Sequence, residues 1–325
     1  MVKFLIVRTD FLGDSVLTST FIRMLNQAVA NSQIDILCGD YNLVAFQYNP
    51  LIKSIFQIKN NHIVNQELFN NDYDAVFLLN RDRKTYILLA ELNTKVFVGH
   101  YLGKKSFRSR LFNLKAIINK KYHLLIYNDS IHEVENQYNV LLKYLSFAYI
   151  GKIPNLDNNC YFYTQNFNPE VDYIAKDNQV VVLNISGRKE TNRYIPTEMA
   201  IQIINLVVQL NKQVILIATV DDKLRADTIL GHTINNSVKL ICERDIFKLA
   251  EQIAKYQYFI GADGGLLHIA AGLHMCCVGL FHAQRIESWR PWTLHQVCLQ
   301  TASKKLHEIS SEDIINALIK LEMSI

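Results

Sequence analysis

The chain has 325 residues, of which 50% are hydrophobic and 20% are charged, and its 34 Lys and Arg against 30 Asp and Glu give a formal net charge of +4. An apolar fraction of this size can bury enough surface to offset chain entropy, which excludes a disordered or low-complexity chain. Because domains commonly have about 150 residues, the length favours two of them.

No targeting or membrane-spanning segment is expected. The apolar residues 4–7 are followed by Arg8 and Asp10, which predicts a strand and not a signal peptide. The longest uncharged run, residues 264–284, holds four glycines and three histidines, so we expect a buried helix followed by a buried strand. The six cysteines show no CxxC pair and no metal-ligand spacing, which favours reduced thiols in a cytoplasmic protein.

Strand-like and helical patterns alternate along the chain, which predicts parallel sheets flanked by helices. A helical stretch at 130–146 is followed by the polar residues 155–159, where we place the domain boundary. We predict an α/β protein with two Rossmann-like doubly wound domains, residues 1–160 and residues 161–325. The predicted strands are 2–7, 34–37, 75–79, 96–98, 180–183, 214–217, 259–260 and 276–280, and helical periodicity is present at 310–321.

The loop at residues 8–14 follows the first strand, at the edge of the sheet where doubly wound domains bind ligands. Gly13 permits a tight turn before a helix that we expect to begin near Ser15, which places Asp14 close to a helix N-terminus. Asp14 is then either a helix N-cap or a general base. No GxGxxG follows a strand, and the Walker-like string at 99–104 is one residue short, so dehydrogenases and P-loop NTPases are disfavoured.

The loop at residues 184–196 combines Ser186 and Gly187 with the cations Arg188, Lys189 and Arg193. Backbone N–H groups and cationic side chains can share the oxygens of a diphosphate, although an ordinary solvated loop has a similar composition.

The loop at residues 261–268 carries the paired glycines Gly264 and Gly265 before a predicted helix. Glycines let the backbone approach a ligand closely, and a helix N-terminus favours an anion such as pyrophosphate. Asp263 could accept hydrogen bonds from sugar hydroxyls. His268, one turn into an apolar helix, is either a ligand contact or a buried core histidine.

Together these loops resemble glycosyltransferase family 9, the bacterial heptosyltransferases of lipopolysaccharide inner-core synthesis. The resemblance rests on residues 6–18 and 261–272, with weaker support from 73–76, 132–135, 280–281 and 289–292. It implies a GT-B fold, in which two facing Rossmann-like domains enclose a cleft. The N-terminal domain would bind the acceptor and the C-terminal domain the nucleotide-sugar donor, usually an ADP-heptose.

The resemblance also implies residue roles. The family's catalytic base falls on Asp14, and its phosphate-binding cation falls on Arg193, where lysine is commoner in the family. The donor-contacting residues fall on Ser186, Gly187, Asp263, Gly265 and His268. The chain departs from the family at Gly264, where a hydroxyl residue is usual, and at His282, where glycine is usual.

As a mechanism we expect an inverting displacement, in which Asp14 takes the proton of an acceptor hydroxyl as that oxygen attacks the anomeric carbon. The leaving ADP would be stabilised by Arg193, the 186–187 backbone and the helix after Gly264, with no metal and no cofactor besides the donor. A DxD string, residues 72–74, precedes a predicted strand, so we expect a solvated turn and not a metal site.

Residues 92–128 contain eight cations and no acidic residue. Such a basic segment suits a phosphorylated, carboxylated glycolipid of the lipid A–Kdo type, and Phe107 and Phe112 among the cations suit peripheral contact with an anionic inner membrane at its cytoplasmic face. No nucleic-acid motif is present, so nucleic acid is not expected as a partner. The predicted acceptor-binding residues are Thr9, Asp10, Gly13, Arg81, Lys84, Lys104, Lys105 and Arg108.

Two other functions are compatible with these loops. One is a GT-B glycosyltransferase that uses a different nucleotide sugar for a surface glycan. The other is a catalytically silent module that binds a glycan or a nucleotide, which the aspartate at position 14 disfavours.

Overall fold

The computed structural model describes residues 1–80, 83–100, 122–172, 176–233, 237–282, 285–301 and 305–324, apart from the side chains of Arg83 and Lys189. The chain divides into two compact units, Met1–Asp157 and Asn158–Ile325. Among the helices within the described ranges, none combines the length and the apolarity that a membrane span requires.

The described part of the first unit is built around a seven-stranded sheet with the order β4-β3-β2-β1-β5-β6-β7. All neighbouring strands are parallel except the short β4, which pairs antiparallel with β3. The elements are β1 (Lys3–Arg8), α1 (Leu12–Ala28), β2 (Gln33–Gly39), β3 (Ser54–Lys59), β4 (His62–Ile63), β5 (Ala75–Leu78), α2 (Arg83–Leu88), β6 (Phe97–His100), β7 (Tyr122–Leu125) and α3 (Glu133–Ala148).

The two central strands of this sheet are continuous apolar runs, because helices cover both faces of a parallel sheet. Residues 4–7 of β1 and 75–78 of β5 are almost completely buried. On one face, Phe77 packs against Phe21 of α1 and Tyr144 of α3, with ring centroids 5.1 and 5.2 Å apart. Phe4 lies 5.6 Å from the Phe77 ring. These aromatic side chains fix both helices on the sheet.

The described part of the second unit contains a six-stranded, all-parallel sheet with the order β10-β9-β8-β11-β12-β13. Its apolar core includes Ile203 of α4 and Leu318 of α9. The elements are β8 (Asp177–Asn184), α4 (Thr197–Gln209), β9 (Gln213–Ile217), α5 (Lys223–Gly231), β10 (Val238–Ile241), α6 (Ile246–Ile253), β11 (Tyr256–Ala262), α7 (Gly265–Gly272), β12 (Cys276–Phe281), α8 (Ile286–Trp289), β13 (Gln296–Gln300) and α9 (Ser311–Met323).

Both sheets have the doubly wound order 3-2-1-4-5-6 once the short β4 is set aside. The strand order therefore reverses between β1 and β5 in the first unit and between β8 and β11 in the second. Ligands of such sheets bind where the order reverses, beyond the carboxyl ends of the strands. The three loops chosen from the sequence follow β1, β8 and β11, so each lies at one of these two positions.

The predicted fold class, two doubly wound α/β domains, is confirmed. The uncharged run at 264–284 forms the buried α7 and β12, as expected from its glycines and histidines. All six cysteines are free. Of the strands in the described ranges, the sequence patterns missed five: the two-residue β4, and β3, β7, β10 and β13, which are only partly buried and therefore lack a continuous apolar run.

We expect Phe77→Ala to destabilise the first unit by about 3–5 kcal/mol, because the change leaves a cavity among three aromatic rings in a fully buried position. Urea unfolding followed by far-UV circular dichroism measures this loss. Val64→Ala is the matched control, since Val64 is exposed. Equal unfolding midpoints for the two variants would contradict the packing described for Phe77.

Candidate active site

The first loop is shorter than the sequence suggested. Helix α1 begins at Leu12, so Gly13 lies inside its first turn and does not form the predicted turn before Ser15. Phe11, in an extended conformation, directly precedes the helix, and its carbonyl accepts a hydrogen bond from Ser15 N at 3.1 Å. Phe11 is the N-cap residue, which leaves the carboxylate of Asp14 available for other contacts.

Arg8, the last residue of β1, is a buried cation at the centre of this loop, with 1% of its surface exposed. Its Nη2 donates to Asp14 Oδ1 at 2.9 Å, and its Nη1 donates to Glu133 Oε1 and to the carbonyl of Leu79, both at 2.8 Å. Asp10 Oδ2 lies 3.7 Å from Arg8 Nε. One guanidinium therefore joins β1, the first turn of α1, the end of β5 and the start of α3.

The pKa of the Asp14 carboxyl group is well above the usual value for an aspartate. Burial raises its pKa to about 7, and the neighbouring charges of Asp10 and Glu133 act in the same direction, while Arg8 opposes them. A carboxylate with a pKa near 7 is ionised in much of the protein at neutral pH and is basic enough to accept a proton from a hydroxyl in a transition state. The side chain keeps 14% of its surface exposed, so solvent and ligands can reach it.

The remaining acceptor-side predictions have mixed outcomes in the structure. Thr9 Oγ1 accepts a hydrogen bond from Asn80 Nδ2 at 3.0 Å, which ties the first loop to the end of β5. Lys84 is exposed on α2. Four of the predicted residues lie outside the described residues: Arg81, Lys104, Lys105 and Arg108.

The described residues include three contributors to this region that the sequence patterns did not single out as site residues. Arg8 and Glu133 form the ion pair described above. Asn42 donates from Nδ2 to the Arg8 carbonyl at 2.9 Å and to Ser15 Oγ at 2.6 Å, and so braces the loop from the side of β2. For Arg8, the available signal in the sequence was a cation directly after the predicted strand 2–7.

A cavity of about 340 Å³ opens at the carboxyl ends of β6 and β7, on the same edge of the sheet as Asp14. Most of its lining side chains are amides or cations, which suit a hydroxylated or anionic ligand. The lining residues are His100, Leu125, Ile126, Asn128, Asn136, Asn139 and Lys143.

In the second unit, the loop after β8 is closely packed at Gly187. A Cβ atom at this position would lie 1.6 Å from the carbonyl oxygen of Arg193, so only glycine fits. Arg193 N donates to the Arg188 carbonyl at 3.0 Å, which closes the loop into a narrow hairpin. This close packing fixes the position of Arg193. The side chain of Lys189, the third predicted cation, is not described.

Ser186 is occupied by contacts within the unit. Its hydroxyl donates to Asp222 Oδ2 at 2.7 Å and accepts from Thr219 N at 2.8 Å, and its own N–H donates to Asn184 Oδ1 at 3.2 Å. Ser186 therefore anchors the loop to the region after β9.

Arg225 of α5 holds the two ends of the same loop. Its Nη2 donates to the Ile185 carbonyl at 3.0 Å and its Nη1 to the Ile195 carbonyl at 2.5 Å, while the guanidinium packs over the Tyr194 ring. The loop is thus held at its start, at its end and at Ser186, which leaves the Arg193 side chain on a rigid support.

The loops after β8 and β11 meet through an ion pair. Arg193 Nη1 lies 3.3 Å from Asp263 Oδ2 across the point where the strand order reverses. Burial raises the pKa of Asp263, although Arg193, His282 and Arg188 oppose this effect. The Arg193 Nε atom is buried and has no hydrogen-bond partner among the described residues. This donor can therefore form a hydrogen bond with a ligand.

Helix α7 begins at Gly265, directly after Asp263 and the N-cap Gly264. Gly264 has an extended backbone, and a Cβ there would meet its nearest neighbour at 3.8 Å, so a side chain would fit without strain. The absence of a hydroxyl at this position is therefore a feature of this sequence and not a requirement of its backbone. His282 is placed by a contact of 2.6 Å between its Nε2 and the Thr191 carbonyl.

His268 lies on α7 and is 3% exposed. Burial lowers its pKa to about 4, so the imidazole is neutral at physiological pH. Its Nδ1 has no hydrogen-bond partner among the described residues. The structure thus places His268 in the core, with one ring nitrogen left available.

The residues of the DxD string make contacts at the amino end of β5. Asp74 Oδ2 accepts from Lys3 N at 2.8 Å, and Asp74 Oδ1 accepts from Lys95 Nζ at 2.5 Å. Asp72 accepts a hydrogen bond from Asn93, and Tyr73 donates to Asp35 at 3.0 Å. These contacts give the two carboxylates a structural role at the edge of the sheet opposite to Asp14.

The resemblance implies a donor that contains ADP. If this loop binds that nucleotide, Gly187→Ala should weaken ADP binding by about tenfold or more, because the added methyl group forces the Arg193 backbone to move. Isothermal titration calorimetry measures the change. Gly231→Ala is the matched control, because a Cβ at Gly231 has no neighbour within 4 Å. Unchanged ADP affinity in Gly187→Ala would show that this loop does not contact the nucleotide.

Known proteins resemble this chain in sequence and in fold. The family model described as glycosyltransferase family 9 (heptosyltransferase) matches residues 62–319, so the loop that carries Asp14 lies outside the matched region. The curated protein lipopolysaccharide heptosyltransferase 3 of Escherichia coli (strain K12) is 24% identical over 338 residues, which cover 95% of this chain and 95% of that protein.

Three solved structures share the fold over nearly the whole chain. Heptosyltransferase WaaC of E. coli, solved with ADP, has a TM-score of 0.78 and 14% identity, with coverage of 98% of this chain and 100% of that one. The family 9 glycosyltransferase of Veillonella parvula DSM 2008 has a TM-score of 0.76 at 16% identity, with coverage of 100% and 98%. E. coli ADP-heptose lps heptosyltransferase II has a TM-score of 0.72 at 14% identity, with coverage of 100% and 99%.

At these identities the structural likenesses establish the fold, and the family model establishes the relationship. The resemblance stated from the sequence is confirmed. The chain belongs to glycosyltransferase family 9, the heptosyltransferase family, and is a glycosyltransferase.

Proposed function

We propose that the protein transfers a heptose from ADP-heptose to the inner core of lipopolysaccharide, with inversion at the anomeric carbon and with Asp14 as general base. The observation that carries this proposal is the Asp14 carboxylate, which is partly accessible, held by Arg8 and has a pKa raised to about 7. It lies at the switch point of a doubly wound domain, where ligands of this fold bind.

In the proposed reaction, the acceptor hydroxyl transfers its proton to Asp14 as its oxygen forms a bond with the anomeric carbon. The bond between that carbon and the diphosphate oxygen breaks, and ADP leaves with the electron pair. Attack from the side opposite to ADP inverts the configuration. Arg8 keeps the Asp14 carboxylate in one orientation throughout, through the contact of 2.9 Å.

The second unit supplies the groups that stabilise the leaving diphosphate in this proposal. Arg193 stands on a loop held by Arg225 and Ser186, with its buried Nε available to a ligand. The N-terminus of α7, after Gly264, adds the partial positive charge of a helix end. Because both Ser186 polar groups are engaged within the unit, the diphosphate contact is assigned to Arg193 and α7 more than to Ser186.

We further propose that this stabilisation is metal-independent. A cationic side chain and a helix N-terminus can together neutralise the charge that develops on a diphosphate. The carboxylates of the DxD string are held by Lys3, Lys95 and Asn93 at the opposite edge of the sheet, which supports a structural role for them.

The proposed acceptor is a phosphorylated, carboxylated glycolipid of the lipid A–Kdo type, reached at the cytoplasmic face of the inner membrane. Two relatives support it by name, one as a lipopolysaccharide heptosyltransferase and one as an ADP-heptose lps heptosyltransferase. Eight cations and no acidic residue at 92–128 provide the charge complementarity for such an anionic partner and membrane surface. Nucleic acid is not a partner in this proposal.

A second candidate is a transferase of the same fold that uses another nucleotide sugar. The observation that favours it is Gly264, where the extended backbone leaves room for the hydroxyl side chain usual in the family and the sequence lacks one. A position next to Asp263 and Arg193 is well placed to affect which sugar is accepted.

We expect Asp14→Asn to lower kcat by about 100- to 10,000-fold, the range typical of a lost general base. ADP affinity should be unchanged, because Asp14 belongs to the first unit and the proposed donor contacts belong to the second.

In the unmodified enzyme, kcat/KM should rise with pH through about 7 and level off above it, because protonated Asp14 cannot act as a base. Steady-state kinetics with ADP-heptose and a Kdo–lipid A acceptor test both points.

The matched control is Asp227→Asn, since Asp227 is exposed on α5. Wild-type turnover in Asp14→Asn, or a flat pH profile between pH 5.5 and 8.5, would contradict the assignment of Asp14.

We expect ADP to bind more tightly than UDP, GDP or CDP in a calorimetric screen, with affinities that do not depend on added magnesium. Arg193→Ala should weaken ADP binding by about 10- to 100-fold, the loss expected for a charged hydrogen bond. Lys320→Ala, on the exposed side of α9, is the control. A preference for another nucleotide would favour the second candidate, and no nucleotide binding at all would favour a silent module.

A further inference from the structure

Glu133 is a buried carboxylate on the opposite side of Arg8 from Asp14. It is the first residue of α3 and is 2% exposed. Its Oε1 accepts from Arg8 Nη1 at 2.8 Å, while Arg8 Nη2 contacts Asp14 Oδ1 at 2.9 Å. The guanidinium therefore lies between two carboxylates, one of which is accessible and one of which is not.

The Glu133 carboxylate is held by two further donors. Gln137 Nε2 donates to Oε1 at 3.1 Å, and the Tyr127 hydroxyl donates to Oε2 at 2.6 Å. Although burial by itself raises the pKa of Glu133, Arg8 and these two hydrogen bonds hold it below its usual value. The position at the N-terminus of α3 also favours a negative charge. Glu133 is thus a fixed anion at neutral pH.

The orientation of Arg8 depends on Glu133. Nη1 is shared between Glu133 Oε1 and the Leu79 carbonyl, each at 2.8 Å, and these two contacts set the plane of the guanidinium. The other terminal nitrogen, Nη2, then points at Asp14. Because the guanidinium is planar and rigid, fixing Nη1 also fixes Nη2. The single ammonium group of a lysine could not do this.

We propose that Glu133 is a positioning residue for the transfer reaction, which holds Arg8 in the orientation that fixes the Asp14 carboxylate and balances the positive charge that Arg8 places beside it. This inference rests on the proposed role of Asp14 as the base. It assigns a role to a side chain on α3 that lies 125 residues along the sequence from Arg8 on β1.

The electrostatic part of the argument follows from the charges around Asp14. Arg8 lowers the pKa of Asp14, whereas Asp10 and Glu133 raise it. His100, at the end of β6, is a further titratable group that interacts electrostatically with Glu133 and lowers its pKa. Without the Glu133 charge, Arg8 would be only partly balanced by Asp10, and the Asp14 carboxylate would become a weaker base. Glu133 would thereby keep the pKa of Asp14 close to 7.

Glu133→Gln tests the proposal, because glutamine keeps the shape and an oxygen acceptor for Arg8 while removing the charge. We expect the acidic limb of the kcat/KM profile to move to lower pH by about one unit, because the pKa of the base falls. On the plateau, kcat should fall about tenfold, because the base is weaker and Arg8 loses its charged partner. ADP affinity should not change. Glu133→Asp restores the charge on a side chain too short to hold Arg8 in the same place, so the limb should return toward its wild-type position while kcat stays low.

Glu135→Gln is the matched control. Glu135 lies in the same first turn of α3 and accepts a hydrogen bond from His132 N, and glutamine can make the same capping contact. The variant loses the same charge from the same turn without contacting Arg8. We expect a wild-type pH profile for it.

The outcomes separate this inference from the proposed function. An unmoved acidic limb in folded Glu133→Gln, or the same displacement in Glu135→Gln, overturns the inference while an inactive Asp14→Asn still supports the proposed base. An active Asp14→Asn overturns both. If Glu133→Gln does not fold, Glu133→Asp tests the proposal by itself, because its shorter side chain cannot hold Arg8 in the same place. Unchanged kcat in folded Glu133→Asp would again overturn the inference.

Discussion

The first unit is organised by the need to satisfy one buried cation. Removing a guanidinium from water costs several kcal/mol unless charges and hydrogen-bond acceptors surround it. Arg8 meets this requirement with Asp14, Glu133 and the Leu79 carbonyl, which come from three separate elements. A change in the position of α1, β5 or α3 would leave part of this charge unpaired. The same requirement that holds these elements together therefore holds the candidate base in place.

The second unit uses an arginine in a related way. Arg225 donates to the Ile185 and Ile195 carbonyls, at the two ends of the loop that carries Arg193. Loops after parallel strands leave backbone carbonyls without strand partners, and a cation from a neighbouring helix can satisfy several of them. As a result, each sheet has a rigid loop at the point where its strand order reverses. In one case the loop presents a carboxylate, and in the other it presents a cation.

This pairing of a base with a cation suits the chemistry of glycosyl transfer. The acceptor must lose a proton and the donor must release a diphosphate, so one side needs a base and the other needs positive charge. Asp14 and Arg193 have these properties within their own units, before any ligand is bound.

The sequence by itself determined the alternation of strands and helices, the two doubly wound units and the three loops that follow β1, β8 and β11. These features depend on local patterns, such as the apolar runs of β1 and β8 and the glycines around Asp263, which need no knowledge of distant residues. The partly buried β3, β7, β10 and β13 were missed because a strand that is not covered on both sides lacks such a run.

Only the tertiary structure decided which contacts hold these loops and what pKa their ionisable groups have. The helix begins at Leu12, with Phe11 as its N-cap, and Ser186 holds its loop by donating to Asp222. The raised pKa of Asp14 comes from burial and from the charges of Asp10 and Glu133, against the opposing charge of Arg8. Burial and the distances between charges arise when elements far apart in the chain pack together, so no local pattern of residues could have contained them.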